Sequence, residues 1–286
     1  MGKIVIVGSG PAGCSAALYA ARAGQEVVVI SMGMGALSKA ELIQNYYGFE
    51  EGITGAELYR RGVAGAKAVG AEFITAEVVG LDYTGSLVVQ TTEGDYPADA
   101  VILATGAGRI APKITGLAEH EGRGVSYCAT CDAFFYRGKT AAVLGSGEYA
   151  LHEVQALLPL AGRVILCTNG EPLTADFPEG VEICTEKLAA VEGEEKVSAL
   201  RLENGGLLPV EGLFVALGVA GSAALARKLG APVENGRIVV DERMQTGIPG
   251  LYAAGDCTGG LLQVCKAVYE GALAATEAIK QIRGKK

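Results

Sequence analysis

The sequence predicts an α/β chain of two domains, each built as helices on both faces of a parallel sheet, with the second domain inserted in the first. Three observations carry this reading. A β-branched run breaks into a glycine turn and an Ala-rich helix over residues 3–23. The same strand, turn and helix recur from Thr140, and each copy is followed by a further strand that ends in glycine.

Residues 3–7, Lys-Ile-Val-Ile-Val, read as a strand buried on both faces. Gly8-Ser9-Gly10-Pro11-Ala12-Gly13 follows, then a helix to about Ala23 closed by Gly24, then a strand over 27–30. This is a βαβ unit, for which the right-handed crossover is expected. Alternating residues at 86–90 suit a small antiparallel sheet, and 100–106, Ala-Val-Ile-Leu-Ala-Thr-Gly, close the first part. The second copy runs through the strand 141–144, the turn Gly145-Ser146-Gly147-Glu148-Tyr149-Ala150, a helix to about Leu160 and a strand over 163–167. A second alternating stretch lies at 199–202, and 212–218, Gly-Leu-Phe-Val-Ala-Leu-Gly, repeats the closing strand. Last come a strand ending Ala253-Ala254-Gly255-Asp256 and a helix from about Leu262 to Ile282. The expected domains are 1–111 with 245–286, and 114–242, crossing at Pro112 and at the breaker-rich Thr246-Gly247-Ile248-Pro249.

At 286 residues, half apolar and a fifth charged, the chain can bury a substantial core. A net charge of −8 argues against nucleic-acid binding, which needs a basic face. Lys280, Arg283, Lys285 and Lys286 read as a solvated helix end. Only His120 and His152 are present, which disfavours a histidine-built metal site or a His-dependent hydrolase, and no metal is expected. Seven cysteines without a regular spacing suggest a reducing compartment. The N-terminal apolar run is too short for a signal-peptide core, and no apolar stretch approaches the roughly 18 residues of a membrane helix. The expectation is a cytoplasmic protein without a membrane segment.

In the first loop Gly8 permits the tight turn, Gly10 admits a pyrophosphate and Gly13 allows close helix packing, while the helix start supplies amide donors. A plain strand–helix turn is the bland alternative. No acidic residue follows the second strand, which ends Val29-Ile30-Ser31, so NAD is disfavoured more than a flavin nucleotide. Asp256 after its strand can accept hydrogen bonds from a ribityl chain, or act as an ordinary helix cap.

Cys128 and Cys131, three apart at a helix start, suit a redox disulfide, with Asp132 placed to move the proton that thiol exchange requires. A zinc site would need a second ligand pair at suitable spacing, and two inert core cysteines are the other alternative. Cys14, Cys167, Cys184 and Cys265 read as core residues, and Cys257 as packing.

The stretches GSGPAG (8–13), ATG (104–106), GRGVSYCATCDAFFYRGK (122–139), VALG (215–218) and AAGD (253–256) resemble those of the low-molecular-weight, bacterial-type thioredoxin reductases across nearly the whole length. The resemblance implies two Rossmann-like three-layer domains of the FAD/NAD(P)-linked reductase type, FAD in the first domain, thioredoxin as acceptor and a homodimer. It places Gly8, Gly10, Pro11, Ala12, Gly13, Ala104, Thr105, Gly106, Gly255 and Asp256 at the flavin, with Asn45 and Gln263 matching positions near it. It also implies that Cys131 faces the flavin, that Cys128 attacks thioredoxin and that Asp132 is the acid/base.

The departure lies in the second glycine unit. NADPH-using relatives carry a small neutral residue in the loop and an arginine-rich stretch after the next strand. Here Glu148-Tyr149 and Cys167-Thr168-Asn169-Gly170-Glu171-Pro172 stand in those places. Two lost charge-assisted contacts to a 2′-phosphate, at about 1.5–3 kcal/mol each, weaken binding by a few orders of magnitude. The second domain thus reads as a degenerate nucleotide-binding domain carrying the Cys128–Cys131 pair. The pattern resembles the ferredoxin-dependent flavin thioredoxin reductases, as does the segment Ser38-Lys39-Ala40-Glu41-Leu42-Ile43-Gln44-Asn45-Tyr46-Tyr47-Gly48-Phe49. An NADPH reductase with an atypical clamp, a two-flavin relative and a non-turning-over FAD redox sensor are the other readings.

Overall fold

The computed structural model of the chain describes residues 2–106, 114–218 and 220–284. The Pro112 crossing, Lys285 and Lys286 lie outside the described residues. The chain divides into two compact units, Met1–Arg109 with Gly221–Lys286, and Ile110–Ala220.

In the first unit β1 (Lys3–Val7), α1 (Pro11–Arg22) and β2 (Glu26–Ser31) form the leading βαβ. Ile4, Val5 and Ile6 have no exposed surface, as alternating side chains of a strand covered on both faces must. Each such burial contributes roughly 1.5–3 kcal/mol. Helix α2 (Gly55–Ala68) starts at Thr54, whose hydroxyl accepts the Glu57 N–H at 3.2 Å. Then come β3 (Glu72–Thr75), an antiparallel meander of β4 (Val78–Tyr83), β5 (Leu87–Thr91) and β6 (Gly94–Ala98), and β7 (Ala100–Leu103).

The second unit holds β8 (Val125–Ser126), the one-turn helix α3 (Ala129–Asp132), β9 (Thr140–Leu144), α4 (Glu148–Leu157), β10 (Arg163–Cys167) and β11 (Glu182–Cys184). An antiparallel meander of β12 (Leu188–Glu192), β13 (Ala199–Leu202) and β14 (Leu207–Pro209) precedes β15 (Gly212–Val215). Its main sheet is parallel throughout, in the order β11-β10-β9-β15-β8. Helix α4 ends at Leu157, before the expected Leu160, because Pro159 has no N–H for a further helical bond and crowds the turn before it.

The chain re-enters the first unit at Gly221, not near 245. Helix α5 (Ser222–Lys228) is tied there, with Lys228 Nζ donating to Val79 O at 3.3 Å, and the hairpin of β16 (Val233–Glu234) and β17 (Arg237–Ile238) follows. Breaker-rich residues 246–249 lead instead into β18 (Leu251–Ala253), inside the unit. This strand completes a parallel sheet ordered β18-β7-β1-β2-β3. Helix α6 (Val264–Gly284) packs Ala274, Ala275 and Ala278 into one core with Ala12, Ala16 and Ala20 of α1. Among the described residues no helix is long and apolar enough to cross a membrane.

Candidate active site

In the first unit, the carboxyl ends of β1, β7 and β18 open on a cavity of ≈ 440 Å³. Gly8, at φ +109, has no room for a side chain: a Cβ there would lie 2.3 Å from Ala104 O. A Cβ on Gly13 would lie 1.8 Å from Gly8 O, so this glycine lets α1 press against the loop from behind. Gly10 and Gly106 differ, having no atom within 4 Å of such a Cβ, and leave a cradle at the start of α1. Gly8, Gly10, Pro11, Ala12, Ala104, Thr105, Gly106, Gly255, Asp256, Asn45 and Gln263 all line this cavity, and Gly13 does not.

Supporting residues fix its polar rim. Asn45 Nδ2 donates to Gln263 Oε1 at 2.8 Å, and Thr105 Oγ1 lies 2.6 Å from Ser222 Oγ, on α5. Gly255 opens the short turn Asp256–Thr258, and its N–H donates to Glu270 Oε2 at 2.8 Å. Lys266 Nζ donates to Gly255 O and Thr258 Oγ1, both at 2.8 Å, and pairs with Glu270 at 3.0 Å. Both side chains of this pair are largely buried, so the pair holds the Asp256 turn as a rigid unit.

In the second unit, β8 delivers the chain to Cys128, which is disulfide-bonded to Cys131 with the Cα atoms 5.4 Å apart. Cys128 is 4% exposed, whereas Cys131 is exposed. Ser126 Oγ donates to Asp132 Oδ2 at 2.7 Å and accepts the Cys128 N–H at 3.1 Å, joining the carboxylate to the disulfide segment. Phe134 and Phe135 follow, both about two-thirds exposed. Tyr136 packs edge-on against Phe214, and its phenol is pushed up, first by burial and then by the Asp132 charge.

The second glycine turn is built for packing. A Cβ on Gly145 would lie 2.2 Å from Ala216 O. After β10 the chain folds back, and Thr174 N donates to Ser146 O at 2.8 Å, over the loop. Asn169 Oδ1 accepts the Leu188 N–H at 2.8 Å, and the Lys187 stem lies beside Gly170. Glu148 opens α4, and residues 168–174, which contain no arginine, follow β10.

The model of the pyridine nucleotide-disulphide oxidoreductases matches residues 2–271. A thioredoxin reductase of Aquifex aeolicus is 35% identical, over 99% of this chain and 94% of its own. This chain belongs to the thioredoxin reductase family. The atypical thioredoxin reductase TRi of Desulfovibrio vulgaris Hildenborough is similar in structure, with a TM-score of 0.93, 40% identity and 99% of each chain covered. A ferredoxin-flavin thioredoxin reductase of Clostridium acetobutylicum gives 0.75 and 35% identity, covering 99% and 98%.

Thioredoxin reductases are flavin-dependent disulfide reductases, FAD is their cofactor, and the first unit's cradle fits it. The open position at Gly10 and the amides of α1 would take the pyrophosphate, with Asp256, Asn45 and Gln263 as polar partners. Sequence reading missed Ser126, Ser222 and the Lys266–Glu270 pair. Only the last left a trace, a Lys and a Glu four apart in an otherwise Ala-rich helix. Of the remaining cysteines, Cys14, Cys167 and Cys257 are buried, and burial pushes the Cys14 thiol up to about 12 and Cys257 to about 11. Cys184, half-buried on the edge strand β11, packs against the second unit's core, whereas Cys265 is not a core residue but is exposed in the first turn of α6.

Proposed function

We propose that this reductase takes electrons from reduced ferredoxin, not from NADPH, and passes them through the Cys128–Cys131 disulfide to thioredoxin. The observation that carries the donor is the closed second loop: Thr174 bonded over Ser146, Glu148 at the helix start, and no arginine in residues 168–174. A 2′-phosphate requires charge-assisted donors to offset its desolvation.

FAD, when bound in the first unit's cradle, would supply the reducing electron pair. The chain's residues do the rest. The Cys128–Cys131 bond takes up two electrons and two protons and opens to two thiols. Asp132, held by Ser126, moves the proton at Cys128. The Cys128 thiolate attacks the thioredoxin disulfide, Cys131 then resolves the mixed disulfide, and thioredoxin leaves as a dithiol. Cys128 must become accessible for that attack, since it is buried beside an exposed Cys131. The exposed Phe134 and Phe135 offer thioredoxin an apolar contact next to the disulfide. A homodimer in the cytoplasm completes the proposal, supported by the family resemblance and by the free thiols.

Anaerobic titration of the flavin absorbance tests the donor. Reduced ferredoxin is expected to bleach it, and stoichiometric NADPH to leave it unchanged. Prompt bleaching by NADPH with indifference to ferredoxin would overturn the proposal. Lys187 beside Gly170 is the feature that favours the second reading, an NADPH reductase with an atypical clamp. Micromolar NADPH affinity, lost in Lys187→Met, would support it.

A further inference from the structure

Strands β10 and β11 end side by side in cysteine. They run parallel, and the register sets Ile165 against Glu182, Leu166 against Ile183 and Cys167 against Cys184. Register partners project to the same face of a sheet, and both cysteines meet the second unit's core, Cys167 within it and Cys184 packed at its margin. The two thiols interact. Burial first, then the neighbouring Cys184 through its charge and its hydrogen bond, push the Cys167 thiol up. Paired strands lie about 4.7–4.9 Å apart, within the span of about 4.4–6.8 Å between Cα atoms that a disulfide bridges. Joining the sulfurs therefore needs only a small shift of one strand. Strand β11 can make that shift, being three residues long and at the edge of its sheet.

We propose that Cys167 and Cys184 form a second redox pair, which hydrogen peroxide closes into an interstrand disulfide and a dithiol reopens. Cys184, half-buried, is the member that a small oxidant reaches, while Cys167 has no exposed surface. The Cys184 sulfur attacks a peroxide oxygen, becomes a sulfenic acid and releases one water. The Cys167 sulfur then attacks the sulfenic sulfur, the S–S bond forms and a second water leaves. In sum the two thiols lose two electrons and two protons, and the O–O bond takes them up. A dithiol returns both electrons and both protons by two exchange steps. A bond that holds a strand away from its relaxed place is readily reduced, so the change is reversible. The pair also touches the second glycine turn: Cys167 O accepts the Gly145 N–H at 3.0 Å, and Cys184 O accepts the Thr168 N–H at 2.9 Å. Oxidation at the strand ends is therefore felt by the backbone of that turn. Neither the electron donor nor the Cys128–Cys131 path enters this inference.

The test starts from FAD-loaded protein reduced with dithiothreitol and then freed of it without oxygen. Hydrogen peroxide is added in slight excess, the remaining thiols are alkylated in denaturant, and the chain is digested without reductant. A protease cutting after Glu171 and Glu179 separates the two cysteines. Mass spectrometry is expected to recover their peptides joined and lighter than their sum by the two thiol hydrogens. Both alkylated peptides should fall together by about five-fold or more, and dithiothreitol before alkylation should restore them. A parallel sample alkylated without denaturant, in which the buried Cys14 stays unlabelled, shows that the chain was folded when oxidised. Cys184 recovered as a sulfinic acid, Cys184 joined to a different cysteine, or both thiols intact overturns the proposal. Cys167→Ser, lacking the second sulfur, is expected to leave Cys184 as a sulfenic or sulfinic acid with no linked peptide. The linkage is read in the wild-type chain, so a serine form that fails to fold leaves the test standing.

Discussion

Cys128 and Cys131 share one bond but not one environment, for Cys128 is buried, with its N–H donating to Ser126 Oγ and its sulfur accepting the Cys131 N–H, while the Cys131 residue is exposed. Replacing either by serine removes the disulfide. Cys128→Ser and Cys131→Ser are each expected to lower thioredoxin turnover by on the order of a thousand-fold or more, with FAD retained, as flavin absorbance of the purified protein would show. Asp132→Asn is expected to cost about a hundred-fold in turnover, the usual scale for one general acid/base. Cys128, Cys131 and Asp132 were legible because their chemistry lies in their own spacing. Ser126 was not: a serine two residues before Cys128 acquires meaning only from the partner that folding brings to it. Another residue-scale consequence concerns alkali. The Cys14 thiol keeps its proton in the folded protein to about 12, against an ordinary 9.0, because burial disfavours the thiolate. Between those values the unfolded chain binds fewer protons than the folded one, so stability falls as pH rises. Urea unfolding of Cys14→Ala across that alkaline range is expected to show a shallower loss than wild type.

At the scale of elements, α6 is both a wall of the core and the support of the cofactor cavity. Its alanines pack on α1, while Lys266 and Glu270 hold the turn that carries Asp256. Lys266→Met would leave Gly255 O and the Glu270 carboxylate short of a donor in a mostly buried place, at a cost of about 1–3 kcal/mol. Fluorescence titration of the apoprotein is expected to show FAD binding weakened about ten-fold or more, with the helix content unchanged by circular dichroism. The strands were readable from β-branched runs, since a sheet covered on both faces tolerates little else. Helix ends were less readable. The expected end at Leu160 overlooked Pro159, and the expected start near Leu262 lies two residues before Val264, where α6 begins.

For the whole molecule, the duplication of a parallel α/β unit was visible in the two glycine turns, but the point of return was not. Residues 222–238 carry no motif, and they belong to the first unit through contacts such as Ser222 with Thr105 and Lys228 with Val79 O. Pairing of this kind depends on which surfaces meet, not on local propensity. The electron path is likewise a property of the whole chain. If ferredoxin is the donor, turnover is expected to fall steeply between about 0.05 and 0.5 M salt, because association of charged proteins is screened over a few ångströms at the higher ionic strength. Stopped-flow measurement at several salt concentrations would show this, and turnover flat across the range would count against a ferredoxin encounter.

Gly145 is answerable to the sheet before it is answerable to any ligand. Its missing side chain lets the turn after β9 lie against Ala216, and any larger residue would force β9 and β15 apart at that end. If NADPH is not the donor, such a glycine has outlived the nucleotide, because the sheet still requires it. A motif scan would score such a loop as a nucleotide site whether or not one binds there, so under the ferredoxin proposal the informative feature is Thr174, bonded across the loop to Ser146 O.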